Sequence, residues 1–230
     1  MSRIDLETST THTTPAGRPR LRRRLAFTLA GAVAVGAVVG GVTFYDRLTG
    51  VGGGGGPLGA AEIVSWTAKP TTVDTTTGQG AKTLKWCLKS MDAQGGADKV
   101  TTADLRGKVT SMVVTSGATT ALCYVGPNGV GGFSEVVDEV PVLAKDAIVY
   151  NTGGSHGNGD QIFNYAAGFV GSDVKAITMT AQGRTFEVTV ENGRWTAWWP
   201  GTENNRRGSV DTATLTLADG STRSVPRSSM

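Results

Sequence analysis

Histidine and cysteine are almost missing, with two of each in 230 residues. His12 lies in the first stretch of the chain and His156 stands by itself, so no histidine-based metal or proton-relay set can be assembled. The cysteines, Cys87 and Cys123, are too few to hold a metal alone. No cysteine precedes Cys87, which excludes a lipoprotein signal. Charge is sparse too, at 18% Asp, Glu, Lys and Arg, and no clustered basic face of the kind that binds nucleic acid is visible beyond the N-terminal stretch. No cofactor is expected, and no credible catalytic set, so the chain does not read as an enzyme.

One long uncharged run is present. Leu25–Tyr45, LAFTLAGAVAVGAVVGGVTFY, has Arg22-Arg23-Arg24 before it and Asp46-Arg47 after it. As a helix it spans roughly 30 Å, the thickness of a bilayer's hydrocarbon core. The expectation is one transmembrane helix over 25–45. A cleaved secretory signal is the competing reading. It requires small residues in an A-x-A-like arrangement soon after the apolar core. Here the core leads into Phe44-Tyr45-Asp46-Arg47-Leu48, and the nearest site is Leu58-Gly59-Ala60. The arginine pair and Ala/Gly-rich core also resemble a twin-arginine signal, but the rest of that motif is poor.

Six of the 22 basic residues lie in 1–24 against Asp5 and Glu7. That leaves 16 basic and 17 acidic residues beyond, a balance of −1. The formal charge of +3 therefore belongs to the tail. Basic flanks stay cytoplasmic, which predicts N-terminus inside, C-terminus outside and a cell-membrane location. Residues 1–24, rich in Thr, Pro and Arg, read as a disordered tail. Its arginines suit anionic headgroups, so the bilayer is the first partner. Within the span, Ala32, Gly36 and Gly40 form a small-residue stripe of the kind that packs two helices, a candidate homodimer contact. Residues 46–60, with five consecutive glycines, read as a flexible linker.

Residues 61–230 change character. Short Val/Thr/aromatic runs broken by glycine turns predict an extracytoplasmic, antiparallel, β-sandwich-like domain, so the fold class is mainly β. Val109–Thr115 and Thr119–Val125 form one expected hairpin, Val174–Ala181 and Arg184–Val190 a second, and Thr212–Leu217 and Thr222–Val225 a third. Asn192-Gly193, the strongest short hairpin signal, leads into Trp195–Pro200. Leu84, Trp86 and Leu88 alternate with Lys85, Cys87 and Lys89 as on a strand. Residues 92–107 read as loop, as does the glycine-rich NTGGSHGNGDQ over 151–161. The segment 134–150 is ambiguous, with a helical turn over Glu135–Glu139 that Pro141 would stop.

Three groups are chemical candidates. In an oxidising compartment the Cys87 and Cys123 pair suggests a disulfide, although Cys87 would face away from a core that takes Trp86. Ser155, His156 and Asp160 are the residue types of a hydrolytic triad, but they crowd one glycine-rich loop; Asp138 and Glu139 are adjacent and so point apart on a strand. Trp195 and Trp199 share one face of a strand and Trp198 takes the other. Either both faces are buried, or one offers an aromatic platform for stacking a sugar of the cell wall. A central place in the sheet is expected for this strand, because a long aromatic edge would recruit other chains.

Ala166–Gly201 carries Gly168, Val170, Gly171, Asp173, Val174, Ile177 and Thr178, then Gly183, then Ala197-Trp198-Trp199-Pro200-Gly201. In these residues it resembles the C-terminal domain of uncharacterised actinobacterial membrane-anchored proteins, whose motif runs G-x-V-G-x-D-V and ends in A-W-W-P-G. The resemblance implies a single-pass envelope protein without an assigned activity. Some members accompany alternative sigma factors, which implies a link to envelope-stress signalling. The expectation drawn from all this is a membrane-anchored binding or scaffold module whose partner is a cell-wall glycan or an envelope protein. A sigma-factor-linked regulator is the first alternative and a cell-wall hydrolase the second.

Overall fold

The computed structural model describes residues 58–93, 98–129, 131–201 and 210–230. The expected tail and span, including Ala32, Gly36 and Gly40, lie outside the described residues, as does the linker before Leu58. Among the described residues no helix is long and apolar enough to cross a membrane.

The described chain is mainly β. One antiparallel sheet is a meander of β1 (Thr71–Thr72), β2 (Lys99–Arg106), β3 (Val109–Ser116), β4 (Thr119–Val125) and β5 (Gly132–Val136). The second contains β6 (Ile148–His156), β7 (Phe163–Val170), β8 (Val174–Ala181), β9 (Arg184–Glu191), β10 (Arg194–Pro200), β11 (Thr212–Leu217) and β12 (Thr222–Pro226). Its spatial order is β12-β11-β8-β9-β10-β7-β6. Within it, β11-β8-β9-β10 is a Greek key: three hairpin-linked strands and a fourth that returns beside the first.

Turn chemistry fixes the register. Asn192 and Gly193 both have positive φ, 51° and 76°, the pair of left-handed conformations that a type I′ turn demands. That turn sets Trp195 opposite Val190. On its other side β10 pairs along its whole length with β7, Arg194 to Phe169 through Pro200 to Phe163. The aromatic strand is therefore internal.

Alternation along β10 then divides the packing. Trp195, Ala197 and Trp199 join residues from all seven strands, among them Ile148, Ala166, Met179, Phe186, Leu215 and Val225. One face of one sheet can form a single cluster of this kind only by curling around it. The two edge strands accordingly approach each other, and Arg223 on β12 forms an ion pair with Asp146, just before β6, at 3.3 Å. Gly168 makes room for the tryptophan layer, since a Cβ there would lie 2.7 Å from Trp195 Nε1. Trp198 points the other way. It packs with Phe163, Tyr165 and Ala167 of its own sheet and with Val109, Val113, Leu122 and Tyr124 of the five-stranded sheet. This is the sandwich interface. The short helix α1 (Ala60–Val64) and Leu58 close one end of it, with Leu58 and Ile63 both buried there.

A helix forms the outermost layer. α2 (Gly78–Ser90) buries Gly80, Thr83, Cys87 and Ser90, with Leu84 and Leu88 packed on the same side, the i, i+3, i+4 stripe of an amphipathic helix. Its entry is shaped by Asp74, whose carboxylate accepts hydrogen bonds from Thr76 N at 2.8 Å and from the Thr76 and Thr77 hydroxyls. The strand expected over Leu84–Leu88 is thus corrected to helix. The period-two alternation was coincidental with a 3.6-residue repeat that also uses Thr83 and Cys87. Two loops are corrected to strands. Residues 99–106 form β2, and 148–156 form β6, whose glycines lie against Tyr150 and Tyr165. The ambiguous Glu135–Glu139 is not helical; it begins in β5 and continues as irregular chain.

Candidate functional site

Cys87 on α2 and Cys123 on β4 are joined by a disulfide, with a Cα–Cα distance of 5.9 Å and a sequence separation of 36. Both are wholly buried, among Met112, Val114, Ala121 and Val125. Because the segment is helical, Cys87 faces the sheet while Trp86 leans to the side, so the objection raised by strand alternation disappears. The bridge pins the helix layer to the sandwich.

Trp195, Trp198 and Trp199 are each 0% exposed. They offer no ring face to a ligand, which corrects the reading of these residues as an aromatic platform. Phe186 stacks on Trp199 at 5.2 Å, and Phe163 meets Trp198 edge-on at 6.1 Å. The physical reason is that each face of β10 has its own layer to fill.

The triad residue types fall on two elements, β6 and the 3₁₀ turn after it. Ser155 and His156 are neighbours on β6 and so leave opposite faces of the strand. The Ser155 hydroxyl donates to Asn164 Oδ1, and the His156 ring packs 4.6 Å from Phe133. Asp160 is exposed in the 3₁₀ turn Gly159–Gln161. Asp138 accepts a hydrogen bond from Asn151 Nδ2 at 2.5 Å, and its carbonyl accepts one from Arg194. Among the described residues no group of three or more His, Cys, Asp or Glu is placed to hold a metal.

Two polar features had no sequence signature. The first is a buried network between the sheets. Asp104 and Arg106 on β2 are 3.8 Å apart and almost fully buried. The Arg106 guanidinium donates to the carbonyls of Thr67, Ala68 and Glu187, and Thr189 donates its hydroxyl to Asp104. Burial raises the Asp104 carboxyl and lowers the Arg106 guanidinium, and the attraction between them offsets only part of each. Every partner is a fixed group of the fold, so this network docks β9 and residues 65–69 onto the five-stranded sheet. Near it, Tyr165 is raised by burial and by the neighbouring Glu135 carboxylate, so its phenol stays neutral; Thr152 donates to the same carboxylate at 2.6 Å.

The second feature is an open groove of about 530 Å³ at the end of the sandwich that carries the β9–β10 turn. It is lined by Thr72, Val73, Thr75, Val100, Thr101, Ala103, Glu191 and Asn192. Three local devices shape it. β1 stops after pairing with Leu105 and Asp104. The β2–β3 register slips between Val100 and Thr102, so Thr101 is a bulge residue, a device that re-aims a side chain. The turn then lays two side chains against the edge of β2: Ala103 N donates to Glu191 Oε2 at 3.1 Å, and Asn192 Nδ2 donates to the Thr101 carbonyl at 2.7 Å. Hydroxyls, an amide and one carboxylate thus line it together with Val73, Val100 and Ala103. Such a set can exchange hydrogen bonds with a ligand.

No family model matches the chain, and comparison with curated proteins and with solved structures gives no match.

Proposed function

We propose that the chain is a single-pass membrane protein, N-terminus in the cytoplasm, which displays residues 61–230 outside as a module that binds or scaffolds and does not catalyse. The observation that carries this reading is the buried Cys87–Cys123 disulfide. Disulfides persist in oxidising compartments and are rare in the cytosol. The uncharged run Leu25–Tyr45 and the arginines before it supply the anchor and its orientation. The glycine linker reaches about 20 Å at the dimensions of a Gly-rich coil, which leaves the outer domain free to meet a wall polymer or another envelope protein. Kinship with actinobacterial membrane-anchored proteins, carried by Ala166–Gly201, belongs to the same proposal. Protease applied to protoplasts that make the chain with an epitope at each end should remove the C-terminal epitope and spare the N-terminal one. Protection of the C-terminal epitope overturns the orientation. A soluble mature protein beginning near Ala61 overturns the anchor.

A further inference from the structure

We infer that the groove between β1, β2 and the β9–β10 turn binds a neutral, hydroxyl-rich chain, a short stretch of an uncharged saccharide. The inference rests on the reading of residues 61–230 as a binding module and names its ligand class. Position is the first argument. α1 and the entering chain sit near the β2–β3 turn, where Ser65 Oγ accepts a hydrogen bond from Lys108 N. Thr101 lies five residues from Arg106 along β2, roughly 17 Å away at the rise of a strand. The groove therefore opens at the end opposite α1.

The edge chemistry is the second argument. Among the described residues Lys99–Ala103 has no strand neighbour on its outer side, because β1 pairs only with Asp104 and Leu105. An extended peptide adds to such an edge through its backbone groups. Here Glu191 and Asn192 already occupy Ala103 N and the Thr101 carbonyl, so a peptide strand would first have to displace both.

The lining is the third argument. Among the described lining residues Glu191 is the one ionisable group and none is a cation that would face an acidic polymer. Thr72, Thr75 and Thr101 offer hydroxyls, Asn192 an amide and Glu191 a carboxylate, with Val73, Val100 and Ala103 between them. A sugar chain presents the matching pattern, hydroxyls at its rim and C–H bonds on its faces. The volume falls within the roughly 300–1,000 Å³ usual for small-ligand sites.

The test uses the full chain in lipid nanodiscs and calorimetric titration with uncharged tetrasaccharides of glucose, mannose, galactose and N-acetylglucosamine. A tetrasaccharide of uronic acid and an extended eight-residue peptide are titrated alongside. The expected result is saturable binding of at least one uncharged tetrasaccharide. It should weaken about tenfold in the double variant Thr75→Val, Thr101→Val and in Glu191→Gln, with thermal melting unchanged in both. Binding by none of the four uncharged sugars overturns the inference, as does a clear preference for the uronic-acid chain or the peptide. Topology is read separately by the protoplast experiment. A sugar result of zero with an external C-terminus sinks this inference alone, and an internal C-terminus sinks the reading beneath it.

Discussion

The two faces of β10 are packed on different physics. The face carrying Trp195 and Trp199 lies inside the curled sheet, among aliphatic and aromatic side chains. The face carrying Arg194, Thr196 and Trp198 looks across the sandwich, where aromatic rings give way to the buried Asp104–Arg106 pair and Thr189. Apolar burial is non-directional and grows with area, about 25 cal/mol per Å². It can hold a sheet curled but says little about which strand sits where. Hydrogen bonds from Arg106 to three named carbonyls are directional, and they specify how residues 65–69 and β9 seat on the five-stranded sheet. One layer supplies apolar mass, and the other specifies how the two sheets seat on each other.

The comparison can be broken at its strongest point first. Trp199→Ala should lower stability by about 3–5 kcal/mol, the range for deleting a large core aromatic. Chemical denaturation of the oxidised protein measures it, and a loss under about 1 kcal/mol would mean the curled layer tolerates a void. On the other face, Arg106→Leu should cost about 3 kcal/mol, because it leaves Asp104 buried without its cation. The double variant Asp104→Leu, Arg106→Leu should recover much of that loss, since hydrophobic replacement of a whole buried pair is often neutral. No recovery would show that the carbonyls freed from Arg106, and not the unpaired acid, dominate.

Acidity separates the faces more finely. Burial raises the Asp104 carboxyl above its ordinary 3.8. A group raised on folding favours the fold below the unfolded value and withdraws that support as pH climbs through the folded value. The advantage of wild type over Asp104→Asn should therefore be greatest below about pH 4 and shrink above it, as thermal melts across a pH series can show. A gap that widened with pH would mean the Arg106 attraction outweighs burial. Trp199→Ala should show no such dependence relative to wild type. The smallest effect expected is from Tyr124→Phe, which removes the hydrogen bond from the Tyr124 hydroxyl to the Ala197 carbonyl, 3.2 Å long, and should cost about 1 kcal/mol.

The same contrast governs what was legible in the sequence. Gln182-Gly183, Asn192-Gly193 and Asp219-Gly220 announced their hairpins because local turn chemistry suffices, and alternation along β8 to β12 followed. β2 did not read as a strand, since Asp104 and Arg106 look like surface charges until the partner sheet covers them. β6 was hidden by Gly153 and Gly154, whose missing side chains make room for Tyr150 and Tyr165. α2 reads as a strand in sequence because Leu84, Trp86 and Leu88 happen to alternate. The platform residues were legible as a strand, but their burial on both faces depends on two layers that no local pattern encodes. The groove was invisible for another reason. Its lining comes from 72–75, 100–103 and 191–192, three segments without a shared motif, brought together by a bulge and a turn.

The central claim is that this disulfide-bearing domain lives outside the cytoplasm. Trapping thiols directly in growing cells tests it without a variant. Cells are quenched in acid, unfolded, and treated with a maleimide mass tag before and after reduction. The account predicts no tag before reduction and two after it, one each on Cys87 and Cys123. Two tags before reduction would place the cysteines in a reducing compartment and contradict the account.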